Sequence, residues 1–289
     1  MSGIDLLSES RRAVIKNIEE AVKQKNSFAK VEISDPKVDG EREKRIIAAF
    51  DNVRKSPIAR MKAAAARMLA ESLTEANNAD TSIKGIENAV AVSGGAVITS
   101  NHYAPTDSTP IRMLCYLCGR RKNLHIIVED SNIFMKGLFG FLMRNCNTHP
   151  VSKSSEYMVK SLKPALKDIL EENNFLLVYP EAQMWRNYKK PRMLEDGAYH
   201  YAALFGKPVI PTFTTMVTKS GKRDSDGFLP VKHTLYVGAP IYPDASLSVR
   251  ENRAIMQRKD YEFKKFIYES EYGIPLDDTF IPERDIAGI

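Results

Sequence analysis

The chain has 289 residues, 43% of them hydrophobic, and 42 basic against 36 acidic side chains give a net charge of +6. This composition supports one large folded domain, with or without a helical appendage, and excludes a wholly disordered chain. Three cysteines are too few for a disulfide framework and indicate buried free thiols in a reducing cytoplasm. No signal-peptide pattern opens the chain, and no apolar run reaches the ~20 residues of a membrane span, so we expect membrane contact to be peripheral.

Residues 1–80 predict an N-terminal helical region. Residues 1–26 place apolar side chains near helical spacing, residues 30–40 read as a linker, and residues 41–76 are the most basic amphipathic stretch of the chain. We expect Pro57 to break or kink that second helix. Such basic helices suit a platform on anionic lipid, and they suit equally a helix pair that packs on the core with solvated lysines.

From residue 81 onwards, short apolar runs alternate with helical patterns. The predicted strands are 96–100, 124–129, 175–179, 209–216 and 235–237. The predicted helices are 109–118, 134–145, 154–172, 196–205 and 249–272. This alternation predicts an α/β domain over residues 81–289, with a mixed, largely parallel central sheet flanked by helices and the N-terminal helices as an extension.

The first candidate site lies where the strand at 96–100 runs into a turn. The turn ends on His102, and Asp107 follows five positions later. Reactive side chains of α/β proteins meet solvent at strand ends. A carboxylate beside a histidine fixes the ring tautomer and stabilises the imidazolium, which leaves Nε2 free to take a proton from a hydroxyl. The spacing alone is weak evidence, because such pairs arise by chance in many proteins.

Three further motifs follow the His–Asp pair in a fixed order. Glu181 ends an apolar strand in Val-Tyr-Pro-Glu, Asp196 opens an Asp-Gly-Ala segment, and residues 207–211 read Lys-Pro-Val-Ile-Pro. This ordered set resembles the glycerolipid acyltransferase family, typified by 1-acyl-sn-glycerol-3-phosphate acyltransferase, over residues 83–245. In that family the His–Asp pair precedes Phe-Pro-Glu-Gly-Thr, a Lys-Gly-Ala-like segment and Pro-Val-Ile-Pro-Val.

The resemblance implies that residues 81–289 are an O-acyltransferase domain. His102 would be the general base, oriented by Asp107, for a lysophosphatidate-like hydroxyl that attacks an acyl thioester of acyl-CoA or acyl carrier protein, without an acyl-enzyme. It also implies a cytoplasmic protein peripheral to the inner face of the membrane, in contact with anionic lipid and not with nucleic acid. The sequence has neither a metal-ligand cluster nor a phosphate-cradling glycine loop, so we predict no metal and no cofactor.

The resemblance further implies a substrate-binding set at the acceptor. Its members are Glu181, Lys153, Arg144, Pro180, Ala182 and Gln183. The family's Glu-Gly-Thr-Arg is Glu-Ala-Gln-Met here, and Lys153 stands for the Arg of the second motif, with Arg144 as its rival. A lysine lacks the bidentate fork that arginine offers to phosphate. The sequence therefore leaves the identity of the acceptor open.

Two alternatives stand beside the leading hypothesis. The same chemistry on a different lipid or amine acceptor fits the altered loop after Glu181. A non-catalytic basic protein that binds membrane or nucleic acid fits the charge of +6, although it has no use for the His–Asp pair. The basic aromatic loop from Trp185 to Arg192 has two interpretations as well, since it could enter a lipid headgroup layer or be a solvated loop.

Overall fold

The structure, a computed structural model, describes residues 10–32, 40, 47, 56–121 and 123–289. Seven strands of these residues form one sheet, in the order β1-β7-β6-β2-β5-β3-β4. The strands are β1 (Ser82–Lys84), β2 (Ala96–Thr99), β3 (Leu124–Glu129), β4 (Thr148–Val151), β5 (Phe175–Val178), β6 (Val209–Thr218) and β7 (Val231–Val237). β1 and β7 run against the other five, because β7 is antiparallel to β6 and all other pairs are parallel. The predicted mixed, largely parallel sheet is confirmed.

The central strands β2 and β5 bring two segments of chain to the same edge. All four residues of β2 are buried, and β5 reads Phe-Leu-Leu-Val, as expected for strands covered on both faces. The two strands are parallel neighbours, and their last residues, Thr99 and Val178, are paired in register. The segments that follow these two residues therefore lie side by side at the carboxyl edge of the sheet.

Helices flank this sheet. They are α1 (Arg11–Lys23), α2 (Pro57–Asn77), α3 (Ile86–Val90), α4 (Ser108–Leu117), α5 (Gly137–Asn145), α6 (Ser155–Tyr157), α7 (Lys163–Glu171), α8 (Gly197–Leu204), α9 (Val249–Tyr272) and α10 (Pro282–Asp285). A 3₁₀ turn at Asp130–Phe134 precedes α5, and a π-helical turn at Met158–Leu162 joins α6 to α7. The predicted helix at 249–272 coincides with α9, where Ser248 and Glu251 form a capping box.

α1 packs against the loop that follows β5. Val14 of α1 lies in one buried cluster with Trp185 and Tyr188 of that loop. Arg186 of the same loop forms a buried ion pair with Glu32. Both interpretations of this basic aromatic loop are therefore wrong, because its rings and its guanidinium are buried inside the protein and reach neither lipid nor bulk water.

α2 covers α5, and Ala66 and Ala70 of α2 are buried in a cluster with Leu142 of α5. Pro57 stands in the first turn of α2 behind the N-cap Ser56, a position where its missing N–H costs nothing. The helix begins at Pro57 and does not continue through Ser56, whose backbone is extended, which agrees with the expected interruption at this proline. The predicted linker and the basic stretch before Pro57 fall mainly on residues 33–39, 41–46 and 48–55, outside the described residues. The division at residue 80 stays a prediction.

The described helices and cysteines bear on two further expectations. None of these helices has the length and apolarity needed to cross a membrane. The cysteines are free thiols, with Cys115 and Cys146 buried and Cys118 half-buried. Burial raises the pKa of the Cys115 thiol to about 12, so this group stays protonated and unreactive.

Candidate active site

The candidate site forms where the chain turns after β2. His102 lines a cavity with 23% of its side chain exposed, and its Nδ1 lies 2.6 Å from Oδ2 of Asp107. The side chain of Asp107 is 3% exposed. The structure thus joins the two residues of the predicted dyad by a short hydrogen bond, with the carboxylate inside the protein and the imidazole at the cavity.

The carboxylate of Asp107 is fixed by the backbone of its own loop. Its Oδ2 also accepts the N–H of Tyr103 at 2.9 Å and the N–H of Ala104 at 3.3 Å. Pro105 restricts the turn between the two dyad residues, and α4 begins directly after Asp107. These contacts hold the carboxylate towards Nδ1, so that Nε2 is the ring nitrogen left for a substrate.

The flat face of the imidazole rests on Tyr179, the residue after β5. The two ring centroids are 4.3 Å apart and the planes differ by 19°. Burial holds the pKa of Tyr179 well above its ordinary value, and the negative charge of Asp107 adds to the effect. The phenol therefore stays neutral and supports the ring of His102 by packing.

Glu181 connects the dyad turn to the loop after β5 and is 2% exposed. Its Oε2 accepts the backbone N–H of His102 at 3.3 Å, and its Oε1 accepts the backbone N–H of Arg192 at 3.1 Å. The guanidinium of Arg192 lies 3.1 Å from Oε2 in a buried ion pair. Both oxygens of the Glu181 carboxylate thus accept hydrogen bonds from protein groups, and Glu181 holds the backbone of the turn that carries His102.

The loop around Glu181 contains a backbone conformation that normally favours glycine. Ala182 has φ +61°, in the left-handed region. The family carries a glycine at this position, so the added methyl group in this chain introduces strain of about 1 kcal/mol. Pro180, Ala182 and Gln183 line the cavity.

The cavity beside His102 has a volume of about 640 Å³, which is within the range of small-molecule sites. The apolar part of its wall comes mainly from β3, β5 and the helical turns between them: Ile126, Val128, Met135, Phe139, Met143, Val151, Met158, Leu162 and Leu176. The exposed polar part, which we call the mouth, comprises Lys30, Glu129, Glu195, Asp196 and Arg253. A wall divided in this way suits an amphiphilic substrate.

The structure does not bring the two predicted phosphate-binding cations to this cavity. Lys153 is exposed after β4 and is not part of the wall. Arg144 donates to the carbonyl oxygens of Ile133 and Met135, at 2.9 and 2.7 Å, and is not part of the wall either. Their role in acceptor binding stays a prediction without a geometric basis in the described residues.

The cations that do line the cavity come from distant parts of the chain. Lys30 pairs with Glu129 at 3.2 Å, and Arg253 of α9 pairs with Asp196 at 2.7 Å. Sequence reasoning missed both, because neither belongs to a motif and only the fold carries them to the mouth. Tyr179 was also missed as a support for His102, although it lies inside the Val-Tyr-Pro-Glu motif.

Comparison with known proteins agrees with this geometry. Residues 80–215, a little under half of the chain, match the family model described as Acyltransferase. The matched segment spans the dyad, the loop of Glu181 and the start of β6. Residues 80–215 are therefore similar to an acyltransferase domain, as the resemblance implied.

The comparisons with solved structures and with curated proteins do not identify the substrate. The chain is similar to the crystal structure of the 1-acyl-sn-glycerophosphate (LPA) acyltransferase PlsC from Thermotoga maritima, with 13% identity over 88% of this chain and 96% of that chain, and a TM-score of 0.45. That similarity is too weak to decide the substrate. No curated protein matches the chain significantly. Among the described residues there is no group of three or more His, Cys, Asp or Glu that could hold a metal ion, and the absence of a cofactor stays a prediction.

Proposed function

We propose that the protein is an O-acyltransferase that moves a fatty acyl group from an acyl thioester to the hydroxyl of a lysophosphatidate-like acceptor. The observation that carries the proposal is the hydrogen bond between His102 and Asp107 at the wall of a largely apolar cavity, inside the segment that matches the family. A binding protein would gain nothing from a buried carboxylate that orients a partly exposed imidazole.

His102 acts as the general base in this mechanism. Its Nε2 takes the proton of the acceptor hydroxyl while the oxygen attacks the thioester carbonyl, and Asp107 stabilises the imidazolium that forms. The tetrahedral intermediate collapses with cleavage of the C–S bond, and the imidazolium returns the proton to the leaving thiolate. No enzyme nucleophile is needed, and no hydrogen bond in the described residues joins Ser108 to the ring of His102.

Glu181 acts as a positioning residue in this proposal. It binds the N–H of His102 and the guanidinium of Arg192, so it fixes the turn on which the base sits. The expectation that Glu181 binds the acceptor directly is replaced by this indirect role, because protein donors already occupy its two carboxylate oxygens.

The apolar wall accommodates a fatty acyl chain. Burial of each CH₂ group contributes about 0.8 kcal/mol, so a chain inside the cavity supplies substantial binding energy. Acyl-CoA and acyl carrier protein carry the same thioester, and both remain donors within the proposal. Peripheral contact with the inner, cytoplasmic face of an anionic membrane would deliver the acceptor. Ile58, Met61 and Met68 of α2 support such contact, because all three are more than 60% exposed on one helix face.

A second acceptor class is favoured by the charges of the mouth. The cations that the described residues place there, Lys30 and Arg253, are each paired with a carboxylate, and Glu195 adds a further acid. An acceptor with an uncharged or cationic headgroup, such as another lipid hydroxyl or an amine, meets less repulsion from these carboxylates than a phosphate does.

The test is acceptor-dependent turnover of a thioester by the full-length protein. Long-chain acyl-CoA or acyl carrier protein is mixed with lysophosphatidate, and free thiol release is followed together with the mass spectrum of the lipid product. We expect thiol release to require the acceptor and phosphatidate to form. Thioester hydrolysis without an acylated product would contradict transfer, and formation of product only from a neutral or amine lipid would select the second acceptor class.

A matched variant tests the absence of an acyl-enzyme. Ser108 lines the cavity next to Asp107, so it is the hydroxyl placed to serve as a nucleophile. We expect Ser108→Ala to retain transfer, whereas an abolished reaction in a folded Ser108→Ala variant would require a covalent route.

A further inference from the structure

The matched acyltransferase segment contributes no lysine or arginine to the cavity wall. Its ionisable contributions at the mouth are the carboxylates Glu129, Glu195 and Asp196. Both wall cations, Lys30 and Arg253, come from outside residues 80–215. The lysine and arginine side chains that the described residues place at the mouth are therefore supplied by the parts of the chain outside the matched segment.

Lys30 lies in a strap of residues 27–32 that is fastened to the loop of the active site. The carbonyl of Ser27 accepts from Arg192 at 2.7 Å, and the carbonyl of Ala29 accepts from the indole N–H of Trp185 at 3.0 Å. On the other side of Lys30, Glu32 forms its buried ion pair with Arg186. The backbone at Lys30 is thus held on both sides by the loop that also carries Glu181.

The side chain of Lys30, in contrast, lies at the surface of the mouth. Its Nζ is 3.2 and 3.3 Å from the two carboxylate oxygens of Glu129, the last residue of β3. The side chains of this pair are 37% and 42% exposed, and exposed ion pairs of this kind are weak and exchangeable. A phosphate carries more charge than a carboxylate, so it can replace Glu129 as the partner of the ammonium group.

We propose that Lys30 binds the phosphate group of a substrate and that Glu129 holds Lys30 in the absence of that phosphate. This proposal rests on the acyl transfer proposed above and names the residue that recognises the charged part of a substrate. The phosphate can belong to the acceptor, as in lysophosphatidate, or to the donor, as in the phosphopantetheine portion of acyl-CoA. In either case Lys30 selects substrates that carry a phosphate within reach of the mouth.

Arg253 is the competing cation, and its pairing differs. It lies on α9 and reaches Asp196 at 2.7 Å, a shorter contact than that of Lys30 with Glu129. The proposal assigns the phosphate to Lys30, because the backbone on both sides of Lys30 is bound to the loop that carries Glu181. The variant Arg253→Ala tests the competing assignment.

The experiment crosses two donors with two acceptors in steady-state assays of the full chain. The donors are acyl-CoA and an acyl N-acetylcysteamine thioester, which lacks phosphate, and the acceptors are lysophosphatidate and monoacylglycerol. Lys30→Ala and Glu129→Gln are compared with the wild type. Lys23→Ala removes the same charge from an exposed pair with Glu19 on α1, away from the cavity wall, and is the matched control.

We expect Lys30→Ala to raise KM roughly tenfold for the substrate whose phosphate it binds, with kcat little changed, because one charge-assisted hydrogen bond is lost. Glu129→Gln should lower the same KM, since one carboxylate that competes with the phosphate for Lys30 is gone. An effect confined to lysophosphatidate assigns the phosphate to the acceptor, and an effect confined to acyl-CoA assigns it to the donor.

Other outcomes overturn the proposal. Equal changes with all four substrate pairs, no change with any pair, or a phosphate-selective loss in Arg253→Ala instead of Lys30→Ala would each do so. A wild-type protein that transfers no acyl group to any acceptor contradicts the proposed function itself, so the two failures are distinguishable.

Discussion

The two sides of the cavity differ in how their charged groups are held. On the dyad side, Asp107, Glu181 and Arg192 are almost completely buried, and their side chains bind backbone groups of the surrounding loops. Glu181 and Arg192 also pair with each other. At the mouth, Lys30 and Arg253 make exposed ion pairs that exchange readily with solvent or ligand. The groups around the dyad are therefore held more rigidly than the charged groups at the mouth, which we propose change partner when a headgroup binds.

The largest effect should follow loss of the base on the fixed side. His102→Ala removes the group that accepts the hydroxyl proton, and we expect kcat to fall by about 10²–10⁴-fold, the usual contribution of a general base. Acceptor-dependent thiol release measures the loss. Circular dichroism serves as the folding control, and wild-type turnover in a folded variant would remove His102 from the mechanism.

Glu181→Gln tests whether the buried groups around the dyad contribute more to the folding stability of the protein than the exposed groups at the mouth do. The substitution leaves the buried guanidinium of Arg192 without its counterion, and breaking such a pair costs roughly 3 kcal/mol. Urea unfolding gives the free energy, and kcat should fall because the turn of His102 loosens. Glu195 is an exposed residue at the mouth, so Glu195→Gln is the control. Equal destabilisation of both variants would contradict the difference in stability between the dyad side and the mouth.

Ala182→Gly tests whether the backbone of the loop after β5 is strained at Ala182. Ala182 has a positive φ, so glycine relieves a steric cost there while adding entropy to the unfolded chain, and the net stabilisation should be about 0.5 kcal/mol. Ala202→Gly, in the buried part of α8, should instead destabilise by about 1 kcal/mol. If both glycines destabilise, Ala182 is not strained.

The smallest effect concerns Asp277, a partly exposed carboxylate that pairs with Lys190 of the loop after β5. Hydrogen bonds from Lys190 and Arg284 hold the pKa of Asp277 below its ordinary value. A carboxyl group with a depressed pKa in the folded state contributes stability above its unfolded pKa of about 3.9, and the contribution is lost as the pH falls through and below that value. The melting temperature of Asp277→Asn should therefore lie below that of the wild type at neutral pH and converge with it in acid, and a constant gap across pH would refute the linkage.

The order of motifs was readable in the sequence because local pattern determines it. Apolar runs predict β2, β3 and β5, and the structure places His102 in the turn after β2, where the sequence predicted it. β1 and β4 were missed, since β1 has three residues and β4 reads Thr-His-Pro-Val, without an apolar run. The loop around Trp185 was wrongly expected to be exposed to lipid or solvent. Its local sequence shows aromatic and basic side chains, but it does not show that α1 packs over the aromatic rings.

The resemblance to the acyltransferase family, the α/β class and the candidate pair His102–Asp107 could be predicted from the sequence, since all three depend on residue types at short spacing. Only the tertiary structure decided what Glu181 touches, that Lys153 and Arg144 lie away from the cavity wall, and that Lys30 and Arg253 stand at the mouth. The physical reason is sequence distance. Lys30 meets Glu129 across 99 positions of the chain, and a contact of that range is set by the packing of the strap on the active-site loop rather than by any local pattern.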